Sequence, residues 1–227
     1  MTKAKNPNVQ RTVVILLCII VLFVGAMVSR ILRTPESIDE MSPPQVQSVT
    51  AIQQTLQQSG VFVRPQPRVL DDFTLSDEQG QPFSNDRFEG QWNLVFLGFT
   101  HCPEICPTTL ALFKTLHESW QASDLSTMQY VLLSADPERD TSARLAEYLD
   151  NFHSDFVGLT GTIADVDRLA KQLNGLFAKM QMDEGYMMDH STNIMIINPA
   201  GQYHGFIRPP HSVEQIQAAM QAISSSY

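Results

Sequence analysis

Apolar and polar positions along this chain fall into three regimes. Residues 12–29 run "TVVILLCIIVLFVGAMVS", with no charge between Arg11 and Arg30. As a helix those 18 residues would extend roughly 27 Å, close to the thickness of a bilayer core. Residues 30–67 are polar and proline-containing, the composition of a stalk or linker. Within them, 46–60 predicts a short helix with Val49, Ile52 and Leu56 on one face, and "RPQPR" at 64–68 predicts extended chain because each proline disfavours helix.

From residue 68 onward the pattern is that of a folded domain. "DFTLSDEQGQPFS" alternates around Gly80 and reads as an N-terminal β-hairpin. Strand-like runs then alternate with helical ones. "WNLVFLGF" is a buried strand, and "PTTLALFKTLHESW" a helix with Leu110, Phe113, Leu116 and Trp120 on its inner face. "MQYVLLSA" is a strand, and "SARLAEYLDNF" a helix capped by Asp140 or Thr141. "FVGLTG" is a short strand, and "IADVDRLAKQLNGLF" the next helix. "TNIMIINPAGQYHGFI" gives two strands about a turn, and "SVEQIQAAMQAI" a closing helix. This order predicts a three-layer α/β domain over 68–227, with the thioredoxin-like fold as the specific candidate.

Charge divides the chain in the same places. The first 34 residues carry five basic side chains and no acid, so the remainder holds 10 basic and 24 acidic residues. A domain that acidic excludes phosphate-driven binding of nucleic acid. Residues 12–29 read as a single transmembrane anchor behind a short basic segment, 1–11. A cleaved signal peptide fits less well, because "GAMVS" lacks the small residues its exit site needs. Cys18 follows bulky Leu17 and is no lipid-attachment site. With three basic residues before the span and two after it, the N-terminus is expected inside. Eleven residues are short for a mitochondrial targeting segment, so the expectation is a bacterial inner membrane with the domain in the periplasm.

Outside the anchor only Cys102 and Cys106 remain, in "FTHCPEICPTTL". On a helix, positions four apart lie about 5–6 Å from each other, a separation that suits two thiolates on one metal or, after a small shift, a disulfide. Amides at a helix N-terminus would favour the thiolate. Thioredoxin-type enzymes space their cysteines by two residues; three here widen the pair and ease chelation. Cu(I) accepts two thiolates and an imidazole, whereas structural zinc takes four ligands. His190, in "MDHSTNIMIIN", is placed best for the third ligand, in a loop just before a central strand. His101, His117, His153, His204 and His211 read as surface, core-edge or turn residues.

Taken together, "FLGFTHCPEICPTTL", "LLSADPERDT" and "YMMDHSTNIMIINPAG" resemble the Sco/SenC family of copper chaperones for cytochrome c oxidase over residues 68–224. The resemblance implies copper, Cu(I) or Cu(II), held by Cys102, Cys106 and His190 on a tethered thioredoxin-like domain. It implies delivery to the dinuclear copper site of oxidase subunit II, with an upstream copper donor and a thiol reductant as further partners, and a chaperone rather than an enzyme. Asp136 ends a strand near the same sheet edge and is a candidate acceptor or charge beside the metal; the alternative is that Asp136 and Asp140 only shape the turn and cap a helix. Asp189 is a candidate to orient His190, or a solvated side chain. Met187 and Met188, in the methionine-rich "KMQMDEGYMMDH", are candidate auxiliary soft ligands, or loop packing.

Two other readings stand beside this one. A thiol–disulfide oxidoreductase would cycle Cys102 and Cys106 through a redox-active disulfide. A thiol peroxidase is suggested by "FTHCPEIC", although Leu97 occupies the position where that phrase carries proline. A purely structural bridge is less apt, because so small a ring gains little entropy.

Overall fold

The computed structural model describes residues 21, 23, 24, 27, 29, 53–121, 123, 125–225 and 227. The chain divides into two compact units, Met1–Thr50 and Ala51–Tyr227. In the first, the described residues Val21, Phe23, Val24 and Met27 are helical and exposed. Most of the expected anchor at 12–29 lies outside the described residues. Among the described helices none is long and apolar enough to cross a membrane.

The second unit is built on a six-stranded sheet. Its strands are β1 (Val61–Arg68), β4 (Asn93–Gly98), β5 (Gln129–Ser134), β6 (Val157–Leu159), β9 (Ile194–Ile197) and β10 (Tyr203–Ile207), in the spatial order β1-β10-β9-β4-β5-β6. The three strands β4, β5 and β6 run parallel. They are joined through the helices α1 (Ile105–Ser119) and α2 (Ser142–Leu149). The other pairings, β4–β9, β9–β10 and β10–β1, are antiparallel. Every residue of β4, β6 and β9 is buried, which is why these segments read as continuous apolar runs rather than alternating ones.

Helices cover both faces of this sheet. On one, α1 lies over Phe96 and Leu132, and α4 (Val213–Ser224) packs beside α1. On the other, the turn after α3 (Ile163–Gln172) sets Gly175 against Leu97 and Met195. The result is the thioredoxin-like α/β fold. The expected hairpin is present as β2 (Leu75–Ser76) paired with β3 (Pro82–Phe83), turning at Gly80 with φ 74°.

Three expectations are corrected. Residues 61–67, assigned by composition to the linker, belong to the edge strand β1. Its prolines are tolerated because the register shifts between Val63 and Arg68, and an edge strand need not donate every amide. The helix expected over 163–177 ends at Gln172, stopped by Asn174 at φ 58° and the following Gly175. Beyond it lies a ribbon absent from the sequence reading: β7 (Phe177–Gln181) pairs antiparallel with β8 (Tyr186–His190) around Gly185. The methionine-rich segment is therefore a β-ribbon and not a loop, and His190 is its last strand residue.

Candidate metal centre

Strand β4 ends at Gly98, and seven residues later α1 begins at Ile105. Cys102 lies in the intervening loop, so the cysteines do not share a helix face as their spacing suggested. Instead Cys106 sits in the first turn of α1, where backbone amides have no helical acceptor. Its amide donates to Cys102 Sγ at 3.4 Å. Cys102 is half-buried and Cys106 fully buried. Room for the deeper sulfur depends on Gly98, where a β-carbon would lie 2.9 Å from Cys106 Sγ.

The third group arrives from the ribbon. His190 Nε2 is 3.9 Å from Cys106 Sγ, and donor atoms of Cys102, Cys106 and His190 all lie within 4.8 Å of one another. A metal–sulfur and a metal–nitrogen bond together span about 4.3 Å, so one ion can touch both residues with little movement. The imidazole is held edge-on to Phe96 and Phe99, at centroid distances of 5.9 and 5.7 Å. Its Nδ1 is 3.1 Å from the Ser191 carbonyl oxygen. A carbonyl only accepts, so Nδ1 carries the proton and the Nε2 lone pair faces the sulfurs.

The sulfurs are electronically unequal. Cys106 donates a hydrogen bond to Cys102, which lowers the Cys102 pKa to about 4 against the opposing effect of burial; His190 and the Cys106 amide add to the lowering. The same bond, together with burial, pushes the Cys106 thiol up. The metal-free site thus presents one accessible thiolate and one protonated, shielded thiol. Two sulfurs and one imidazole form a soft donor set suited to Cu(I).

One loop, between β5 and α2, steadies both sides of this site. Asp140 is fully buried and accepts from the Thr100 amide (3.1 Å), the Thr100 hydroxyl (2.6 Å) and the Ser134 hydroxyl (2.7 Å). It therefore fastens the loop that carries Cys102. The capping role falls to Thr141, whose side chain accepts from the Arg144 amide. Asp136, also buried, accepts from the Tyr186 hydroxyl at 2.9 Å and pairs with Arg139, whose guanidinium lies 3.9 Å from the Tyr186 ring centroid. This fastens the ribbon that carries His190.

The remaining expectations divide by strand alternation. Tyr186, Met188 and His190 share one face of β8, while Met187 and Asp189 lie on the other. Asp189 is exposed and leaves the orientation of His190 to Ser191. Met187 pairs across the ribbon with the exposed Met180 and packs partly buried against the core, on the face of β8 opposite His190. Met188 is buried on the His190 side and lines a cavity of about 440 Å³ with Asp136, Phe177 and Lys179. His101 is exposed, His204 packs edge-on to Trp92, and His211 bonds the Thr192 carbonyl. His117 and His153 lie together with Asp155 in a separate group. Sequence reasoning left Asp140 to the turn or cap and did not single out Arg139 or Tyr186; the signal for Asp140 was an acidic side chain placed just ahead of a helix that already had Thr141 as its cap.

The family model described as SCO1/SenC matches residues 63–225. A protein of Stutzerimonas stutzeri named for copper binding is 37% identical over 169 residues, covering 74% of this chain and 83% of that one. The mitochondrial SCO2 homolog of Mus musculus is 38% identical over 148 residues, covering 64% of this chain but only 58% of that one. Among solved structures, Arabidopsis thaliana ScoI with copper bound superposes with a TM-score of 0.64 at 27% identity, over 69% of this chain and 99% of that one. Yeast Sco1 with copper bound gives the same score and identity over 71% of this chain and 91% of that one.

Proposed function

From the premise that the chain belongs to the SCO1/SenC family, we propose that it is a membrane-anchored copper chaperone that serves cytochrome c oxidase assembly. Copper is its cargo, held by Cys102, Cys106 and His190 and passed to the dinuclear copper site of oxidase subunit II. The observation that carries this reading is the meeting of two sulfurs and an imidazole nitrogen within 4.8 Å, from a loop, a helix and a ribbon. Arabidopsis and yeast relatives of the same fold have been solved with copper bound. Three ligands bind an ion while leaving a direction from which a recipient's donors can approach. The uncharged 12–29 segment, exposed at Val21, Phe23, Val24 and Met27, supports attachment to the bacterial inner membrane with the domain in the periplasm.

The half-exposed Cys102 thiolate above a buried Cys106 thiol also supports an accessory redox step. Oxidation of the pair joins the two sulfurs, releases the Cys106 proton and passes two electrons to an oxidant. A dithiol reductant reverses this, becoming a disulfide itself. Since the bridge consumes both sulfur ligands, copper loading would require the reduced pair.

Anaerobic Cu(I) titration of the reduced chain tests the proposal. About one copper per chain is expected, with little uptake when the Cys102–Cys106 bridge is present. Cys102→Ala, Cys106→Ala and His190→Ala should each weaken binding by more than the 10–100-fold typical of losing an outer partner, and His101→Ala should change little. Undiminished affinity and an unchanged spectrum in His190→Ala would refute the three-ligand site.

A further inference from the structure

A second convergence of donor atoms lies at the other end of α1. His117 follows Cys106 by eleven residues, about 16 Å along the helix. There His117, His153 and Asp155 bring one ligand atom each within 4.8 Å of the others. Asp155 Oδ2 stands 4.0 Å from His117 Nε2 and 3.9 Å from His153 Nδ1.

The three groups are held in place. His117 meets the Tyr130 ring edge-on at 5.7 Å, and His153 lies against Phe156 at 5.6 Å. The Ser154 hydroxyl donates to Asp155 Oδ1 at 3.3 Å, which turns Oδ2 toward the histidines. Both imidazole nitrogens are acceptors here. His117 Nε2 takes the Gln121 amide nitrogen at 2.9 Å, and His153 Nδ1 takes the Asp155 backbone amide at 3.2 Å. Two imidazole nitrogens and a carboxylate oxygen therefore converge, each nitrogen lone pair taken up by a neutral N–H group. With imidazole centroids 4.1 Å apart, charging both rings would set like charges in contact. A cation that displaces these two N–H donors meets two nitrogen lone pairs and a carboxylate without that repulsion.

We propose that His117, His153 and Asp155 form a second, sulfur-free site for a borderline divalent cation of the Zn²⁺ or Cu²⁺ type. Two imidazoles and a carboxylate suit these ions, and open positions remain for water or for Gln121 after its amide turns. Ligand atoms on a tetrahedral ion lie about 3.3 Å apart, so the two carboxylate–imidazole separations close by roughly 0.6 Å through the exposed Asp155. The surrounding cavity, about 500 Å³, is also lined by Glu118, whose carboxylate adds attraction for a cation. Donor chemistry separates the two ends of the helix: sulfur selects Cu(I) at one, and nitrogen with oxygen selects divalent ions at the other. This inference does not rest on the chaperone reading.

The test uses the untagged full-length chain carrying Cys102→Ser and Cys106→Ser, which leaves the sulfur site out of the measurement. Equilibrium dialysis against Zn²⁺ alone, with metal analysis, should find one ion bound at micromolar concentrations. Cu²⁺ should compete, giving an electron paramagnetic resonance spectrum with coupling to imidazole nitrogen. Asp155→Asn and His153→Gln, at the more exposed positions, should each lower affinity at least tenfold. Because His117 packs on aromatic rings, His117→Gln is read only alongside a circular dichroism spectrum. No zinc at 100 micromolar free metal, or binding unaltered in both Asp155→Asn and His153→Gln, would overturn the proposal. Either result would leave copper loading of the unmodified chain untouched.

Discussion

The cysteine arm and the histidine arm of the candidate centre are built on different physical terms. Cys102 and Cys106 hang between β4, which is wholly buried, and the buried inner face of α1 formed by Cys106, Thr109, Leu110, Phe113 and Leu116. Asp140 ties their loop to the end of β5, accepting twice from Thr100 and once from Ser134. His190 rides on a two-stranded ribbon whose strand β7 is largely exposed and whose attachment depends on Asp136, Arg139 and Tyr186. An isolated two-stranded ribbon is marginal in water. One arm is thus set on the core and tied by Asp140, the other is a ribbon clamped by Asp136, and both polar ties come from a single loop. Loosening the Asp136 clamp is therefore expected to displace the imidazole while leaving the sulfurs in place.

The largest break in this contrast is expected from Asp140→Ala. Removing a buried carboxylate strands the Thr100 amide, the Thr100 hydroxyl and the Ser134 hydroxyl, and should cost about 3 kcal/mol or more. A denaturant titration of the reduced chain measures it. An unchanged midpoint would show that the cysteine loop is held by packing alone.

Asp136→Ala should act on the other arm. It removes the Tyr186 bond and leaves the buried part of Arg139 without its counter-charge, a loss of about 1.5–3 kcal/mol. Hydrogen exchange should quicken in 177–190 and stay unaltered around Cys106. Copper affinity should fall 10–100-fold through displacement of His190. Equal exchange changes on both arms would dissolve the distinction between them.

The sulfur asymmetry gives a pH test. In the reduced, metal-free chain, alkylation at Cys102 should hold nearly constant from pH 8 to pH 6 and fall by half near pH 4, while Cys106 stays slow throughout. The folded value of Cys102 lies below that of the unfolded chain, about 8.5. The unfolded chain therefore binds the extra proton between those two values. This contribution to stability is complete above about 8.5, shrinks as pH falls, and is gone below about 4. Cys102→Ser should flatten that slope.

Lys179→Ala should have the smallest effect. Its ammonium pairs with Glu138 and lies 4.1 Å from the Tyr186 ring centroid. The lysine is solvent-screened, so copper binding and folding should change little. A loss comparable to Asp136→Ala would mean that the clamp extends to the surface.

The sequence by itself determined the elements whose signal is local. Buried strands β4, β5 and β9, the helices between them and the Cys102–Cys106 pair announce themselves because apolar periodicity and cysteine spacing are properties of neighbouring residues. His190 was legible through its motif. The ribbon was not: its polar, methionine-rich residues have no alternation strong enough to mark a strand, and only pairing of Phe177 with His190 and Met180 with Met187 makes it one. For the same reason the proline-containing β1 resembled a linker until β10 paired with the residues on either side of the prolines. Asp140 looked like a helix cap, because its true partners lie 6 and 40 residues away. The gathering of His117, His153 and Asp155 was likewise decided only when the end of α1 met the turn after α2. Hydrophobic pattern is written along the chain, but the partner of a buried charge or a lone pair is chosen in space.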